Sequence, residues 1–279
     1  RRFLGRRLAR VAIPFVAWSV LYFYWQNYFW DKDRSTLDLV AELLAGPVSY
    51  HLWFVYMLLG LYLLAPLLGA FLEAARPSVA AWAVALWLVG ASVLPMAERL
   101  LGLQTWYSPG RDNTPLMLVG YFLLGALLVD REVPEWWGRL AGPVLVVAVV
   151  VTAASTHLLT AHAGGDYQPL FYEYYSLNVV VMSVAVFLLA ARRGRRGEPS
   201  AERSTARLWR WLSARVFGIY LVHVVALDVL KQGALGFTLD HTTGHPVVAV
   251  PLLAVTAILA SLVVILMVER IPGVRRVLL

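Results

Sequence analysis

Residues 51–68 read HLWFVYMLLGLYLLAPLL. A single histidine is followed by seventeen residues without one charge. A bilayer-spanning helix needs roughly 17–25 predominantly apolar residues, whereas a buried strand is far shorter. The stretch therefore predicts a membrane helix. Whether His51 is a working group or only a polar helix end depends on where the rest of the chain sits.

Composition places most of the chain in hydrocarbon. Of 279 residues, 60% are hydrophobic and 15% charged, with a mean hydropathy of +0.67. Soluble domains carry about 45–50% apolar and about 25% charged residues, because a water-facing surface needs charge. There is no cysteine, which excludes disulfide and thiolate chemistry, and no metal site is expected. The net charge is +7, and every basic residue except Lys32 and Lys231 is Arg. A nucleic-acid binder would gather such charge on one face. Here it clusters between apolar runs, and no nucleic-acid partner is expected.

Eight segments read as spans: 11–30, 51–72, 79–97, 114–130, 141–160, 177–191, 212–230 and 246–268. The first follows an Arg-rich start, as a signal peptide would. Its apolar run exceeds the ~7–15 residues of a signal peptide and lacks a small-residue cleavage site. Between the first two spans, STLDLVAELLAG (35–46) has the spacing of a short amphipathic helix on the membrane surface. With the N-terminus inside, nineteen of the 24 Lys and Arg fall on the inner side, and Lys32, Arg34, Arg99, Arg111 and Lys231 fall outside. The positive-inside rule then puts both chain ends in the cytoplasm.

Several polar residues stand out against this background. His223 falls near the middle of the seventh span, with Tyr220 three residues earlier on the same helix face. An ionisable group at that depth is a functional candidate, although a neutral imidazole bonded to a neighbouring helix is equally open. His51, with Trp53 and Tyr56, reads either as an interfacial belt or as the rim of a cavity. Asp228, near the outer end of the seventh span, is expected to be solvated. Glu173, Tyr174, Tyr175, Ser176 and Asn178 form a polar, aromatic approach to the sixth span, open to the same two readings. Arg7 and Arg10, three apart at the inner start of the first span, either anchor the helix or clamp one polyphosphate. His241 and His245 are four apart, but HTTGH contains Gly and precedes Pro, which argues against a metal pair. No phosphate-binding glycine loop and no nucleophile elbow is present.

Taken in order, RRLARVAIPFVAWS, YHLWFVYMLLGLYLLAPLL, YFLLGALL, YEYYSLNVVVMSVAVFLLAAR, FGIYLVH and ERIPGVRRVLL resemble the acyltransferase-3 family of integral membrane acyltransferases. The resemblance runs from Arg6 to Leu279. It implies an all-α, polytopic transmembrane bundle of about ten spans. It also implies transfer of an acyl group, usually acetyl from acetyl-CoA, to a hydroxyl of a sugar or a cell-surface polysaccharide precursor. The expected setting is the plasma (inner) membrane. Acyl-CoA enters as co-substrate, no bound cofactor is implied, and the partners are the bilayer and a carbohydrate acceptor. The family's cytoplasmic Arg-x-x-Arg motif is matched by Arg7-Leu8-Ala9-Arg10.

One departure stands against this. The family places a basic residue and then a histidine in its first span, and nothing here matches them. Residues 1–279 therefore read as one transmembrane acyltransferase domain lacking its first two spans, eight of ten, and expected to be inactive alone. Within this chain His223 is the candidate catalytic residue. Arg7 and Arg10 are the candidate acyl-CoA contacts, and His51, Trp53, Tyr220 and Glu173 the candidate acceptor cavity. The rival reading is a transporter or flippase without covalent chemistry. Inverted repeats and helices broken at midplane would mark it, and neither is visible in the sequence.

Overall fold

The computed structural model describes residues 2–102, 115–130, 134–195, 202–234, 236–240 and 242–278. Everything regular among them is helical. In chain order the helices are α1 (Arg2–Phe29), α2 (Thr36–Ala45), α3 (Trp53–Ala74), α4 (Pro77–Leu88), α5 (Leu94–Leu101), α6 (Pro115–Asp130), α7 (Glu135–His162), α8 (Leu177–Arg195), α9 (Glu202–Ser213), α10 (Val216–Lys231), α11 (Pro246–Glu269) and α12 (Pro272–Leu278). Among the described residues, each of the eight apolar segments is mostly helical. Five candidate spans have full crossing length and apolarity: Leu8–Phe29, Thr36–Ala74, Pro77–Leu101, Glu135–His162 and Pro246–Glu269. The expected seventh span is broken: Ala206–Ser213 and Val216–Lys231 meet at 60° and together make a sixth candidate. Leu118–Val129 and Leu177–Arg192 are apolar but shorter. The chain is a multi-pass membrane protein.

Lipid is the solvent that makes this surface reasonable. On α7, Val146, Val147 and Val150 are exposed, and on α11 Val247, Val248 and Leu259 are. In water such continuous apolar faces would drive association. Pro14, Pro66, Pro143 and Pro251 lie inside helices, a placement that membrane helices tolerate. The helix foreseen at 35–46 is α2. Its start is tied by Asp38, whose carboxylate accepts from both the Ser35 backbone N–H (2.7 Å) and the Ser35 hydroxyl (2.9 Å).

The chain divides into two compact units, residues 1–62 with 200–279, and residues 63–199. In the first, one face of α1 (Phe15, Trp18, Tyr22, Phe23) packs with Leu52 and Val55 of the 50–55 region and with Leu221, Val222 and Val224 of α10. α12 returns along α1, where the Trp18 indole donates to the Leu278 carbonyl at 3.0 Å. In the second unit, α7 pairs with α8, and α4 with α6 across Gly120, which lies against the Trp87 ring. A π-turn at Val89–Val93 separates α4 from α5. The Tyr175 phenol, in the turn before α8, is buried without a hydrogen-bond partner, and desolvation pushes it up to about 12.

Candidate functional site

The site grows from the α1–α10 seam of the first unit. Residues 15, 18, 19, 22 and 23 of α1 share the three- and four-residue spacing of one helix face. They are all buried, Ser19 and Phe23 completely. Tyr22 reaches across the seam, and its phenol donates to the Leu221 carbonyl of α10 at 2.7 Å. That bond pins α1 to α10 at the level where two imidazoles meet.

His51 arrives from the other side. It sits in a single 3-10 turn, Tyr50–Leu52, that precedes α3. Ser49 enters that turn with extended backbone, and its hydroxyl lies 3.1 Å from His51 Nδ1. The turn rotates His51 inward. It is only 5% exposed, while its neighbour Tyr50 is 69% exposed. The ring is in the interior, while its neighbours Ser49 and Tyr50 line a cavity. It packs edge-on against Tyr22 (centroids 4.8 Å), His223 (5.1 Å) and Tyr220 (5.6 Å). The Tyr220 phenol donates to the His51 carbonyl, and the Tyr220 carbonyl faces His223 Nδ1 at 2.5 Å. A carbonyl can only accept, so Nδ1 of His223 carries the proton and Nε2 keeps the lone pair. Nε2 of His51 is buried and has no hydrogen-bond partner, and the same holds for the Ser19 hydroxyl three residues before Tyr22. Buried polar atoms are rarely left open, and these two lie in one seam.

A cavity lies at each end of this seam. The one toward the N-terminal end of α1, labelled inner for its place on that helix, has about 440 Å³ and is lined by Arg10, Ile13 and Pro14 of α1, Arg215, Phe217 and Gly218 at the start of α10, and Ile265 and Glu269 of α11. The outer one, about 310 Å³, is lined by Tyr22, Gln26, Trp30, Lys32, Ser49, Tyr50 and Asp228. Ile13 and Gln26 are separated by about 20 Å of helix rise. His223 is five residues from Gly218 on the inner cavity and five from Asp228 on the outer one, about 7.5 Å of rise each way. The imidazole pair thus occupies the level between the two cavities. Asp228 is not simply solvated, since its carboxylate accepts the Trp25 indole N–H at 3.1 Å on the cavity wall.

The sequence candidates separate accordingly. His51, His223 and Tyr220 converge, and Arg10 lines the inner cavity. Arg7 is on α1 one turn before Arg10, and its side chain lies outside the described residues. Trp53 opens α3, half-buried, its ring 6.1 Å from that of Phe54. Glu173 belongs to the second unit, where it pairs with Arg99 at 2.6 Å beside a hollow of about 10 Å³. His245 caps α11 through Nδ1, which accepts from Val247 N–H at 3.4 Å, and His241 lies outside the described residues. No group of three His, Cys, Asp or Glu is placed to hold a metal among the described residues. Tyr22, Ser49, Arg215 and Glu269 were not foreseen. Tyr22 carried a usable signal, a hydroxyl-bearing ring inside an apolar span. Arg215 was one guanidinium among the many that the positive-inside reading groups together.

The model of the acyltransferase-3 family, described as an acyltransferase domain, matches residues 1–268. No curated protein and no solved structure gives a significant match. The matched region contains the whole α1–α10 seam, the imidazole pair and every residue lining the outer cavity. The chain therefore belongs to the acyltransferase-3 family and is a membrane acyltransferase.

Proposed function

We propose that this acyltransferase takes an acyl group, acetyl by family resemblance, from acyl-CoA and passes it to a hydroxyl of a sugar or cell-surface polysaccharide precursor. The observation that carries the reading is the meeting of His51 and His223, rings 5.1 Å apart, between a guanidinium-lined cavity and a polar, aromatic one. The protein sits in the plasma (inner) membrane with both chain ends cytoplasmic. Its inner cavity, with Arg10 and with Arg7 one turn earlier, receives the CoA phosphates. Its outer cavity receives the acceptor, with the Tyr50 and Trp30 rings as apolar platforms and Gln26 and Asp228 as hydroxyl partners. No bound cofactor is needed.

The chemistry follows from the nitrogen assignments. Acyl transfer to an alcohol needs a base and a donor aimed at the developing oxyanion. His223 Nε2 takes the hydroxyl proton as the oxygen attacks the thioester carbon. The carbonyl oxygen becomes an oxyanion. His51, with the Ser49 hydroxyl donating into Nδ1, carries its proton on Nε2 and offers it as a hydrogen bond to that oxyanion. Collapse breaks the carbon–sulfur bond, and the departing CoA thiolate takes the proton from His223. Both imidazoles end as they began. A transporter without chemistry would have no use for this pair.

The test uses the full-length protein in membranes, radiolabelled acetyl-CoA and the cell-envelope acceptor fraction. His223→Gln should lower transfer at least a hundredfold with protein level and thermal midpoint retained. Transfer at the wild-type rate would remove His223 from the mechanism. Arg7→Ala with Arg10→Ala should raise KM for acetyl-CoA, and an unchanged KM would remove the inner cavity as the donor site.

A further inference from the structure

We propose that Arg215, held in place by Glu269 and Trp211, is a phosphate-binding residue of the inner cavity that acts together with Arg10. Arg215 stands at the 60° bend between α9 and α10, as the N-cap residue of α10. Three contacts hold its guanidinium. Nη1 donates to the Trp211 carbonyl at 2.8 Å, Nη2 donates to Glu269 at 2.7 Å, and the group lies 4.2 Å over the Trp211 ring. Its Nε–H is buried and has no acceptor.

An ion pair that merely tied α10 to α11 would account for Nη2 alone. It would not account for the buried Nε–H left without an acceptor on a residue that lines a 440 Å³ cavity. Leaving such a donor unmet is costly, more so for a charged group. Arg10 lines the same cavity and forms no ion pair among the described residues. Phe217 and Gly218, in the first turn of α10, also line it, and first-turn N–H groups have no intrahelical acceptor. Two guanidiniums, one carboxylate and a helix N-terminus leave a net positive field, which suits a phosphate group. Glu269 is then a positioning residue: it orients the fork and leaves the remaining donors for the ligand.

That the phosphate belongs to the acyl donor rests on the acyl-CoA reading above, whereas the site itself rests on the geometry. A phospholipid headgroup carries the same chemistry. The experiment uses the full-length protein, with desulfo-CoA binding measured calorimetrically in neutral detergent, and retained phosphatidylglycerol measured after reconstitution in mixed-lipid nanodiscs. Arg215→Lys keeps the charge but loses the fork and the ring stacking. It should weaken desulfo-CoA about tenfold, the loss of one charge-assisted hydrogen bond. Glu269→Gln keeps an acceptor for Nη2 but removes a negative charge. It should tighten desulfo-CoA about threefold at low salt, which a purely structural ion pair would not do. Arg139→Lys, in the second unit, should change nothing.

If wild-type protein ignores desulfo-CoA while Arg215→Lys sheds phosphatidylglycerol, the phosphate site stands and the donor reading fails. If desulfo-CoA binds wild type, and both Arg215→Lys and Glu269→Gln leave its affinity and the lipid content within twofold, the role of Arg215 is overturned and the donor reading survives. Should Arg215→Lys fail to fold, the sign of the Glu269→Gln effect decides alone.

Discussion

Helix pairs in the second unit meet through small residues. Gly138, Ala141, Ala148 and Thr152 are buried on α7, Ala185 on α8, and Gly120 of α6 admits the Trp87 ring. Their polar groups tie one helix to the next. Thr152 donates to the Ala148 carbonyl (2.7 Å) and accepts from Asn178 (2.6 Å), and Arg192 reaches the Gly138 carbonyl at 3.0 Å. The α1–α10 seam is built from large rings instead, Phe15, Trp18, Tyr22 and Phe23, and it has a cavity at each end. Lipid tails are as apolar as leucine, so helices in a membrane hold together by close packing and hydrogen bonds rather than by hydrophobic burial. The α7–α8 pair uses both devices and leaves the Asn178 amide oxygen and the Thr156 hydroxyl open, neither of them a group that exchanges protons near neutral pH. The seam leaves an imidazole nitrogen open, on His51. An amide oxygen cannot move a proton at neutral pH, whereas an imidazole can.

The largest expected effect tests that contrast directly. His223→Gln and His51→Gln should each lower turnover by about 10²- to 10⁴-fold, the usual worth of a positioned acid or base. Thr152→Val removes an equally buried polar group from α7–α8 and should leave turnover within twofold while lowering the thermal midpoint. Equal losses of turnover in the two regions, measured per folded protein, would break the comparison.

The next effect is on stability. An added Cβ at Gly120 would stand 1.8 Å from Trp87 Cδ2, inside the ring. Gly120→Ala should therefore destabilise by about 1–3 kcal/mol, the range for overpacking a tight interior. The readout is the thermal midpoint in detergent. A midpoint equal to wild type would mean that the α4–α6 contact is looser than drawn.

A smaller effect is expected at Tyr22. Tyr22→Phe keeps the ring against His51 but removes the bond to the Leu221 carbonyl. It should cost about 1 kcal/mol of stability. Turnover should fall by a factor of about ten as the imidazole pair loses its brace. If stability falls without turnover, Tyr22 ties helices together and does nothing for His51.

The helices were legible because hydropathy is a local property. Each of the eight apolar runs is mostly helical among the described residues, including 177–191 with its polar approach. The breaks were not legible. The 60° bend before Val216 has no Gly or Pro to announce it, and at the π-turn Val89–Val93 the signals, Gly90 within it and Pro95 just beyond, do not say what kind of break they make. His223 was visible by its depth. His51 looked interfacial because a linear reading puts the first residue of an apolar run at its edge, and only the 3-10 turn brings it inward. Glu173 looked like part of a mouth, yet it pairs with an Arg that is distant in sequence. Arg215 was hidden by abundance, because positive-inside anchoring explains every Arg on that side equally well.

The smallest effect separates the two cavities from one another. Asp228 presents Oδ2 to the Trp25 indole and lines the outer cavity, on whose wall Lys32 also stands. Asp228→Asn keeps an oxygen that can accept from Trp25, so the fold should be retained. What changes is one negative charge in the cavity proposed for the acceptor. A hydrogen bond to a charged partner is worth about 1 kcal/mol more than one to a neutral partner at most, less where water reaches. KM for the acceptor should then rise by about two- to fivefold, with kcat and KM for acyl-CoA unchanged. A uniform loss of binding raises KM without touching kcat. Were KM for acyl-CoA to rise instead, donor and acceptor would share one cavity, and the imidazole pair would no longer stand between two separate substrates.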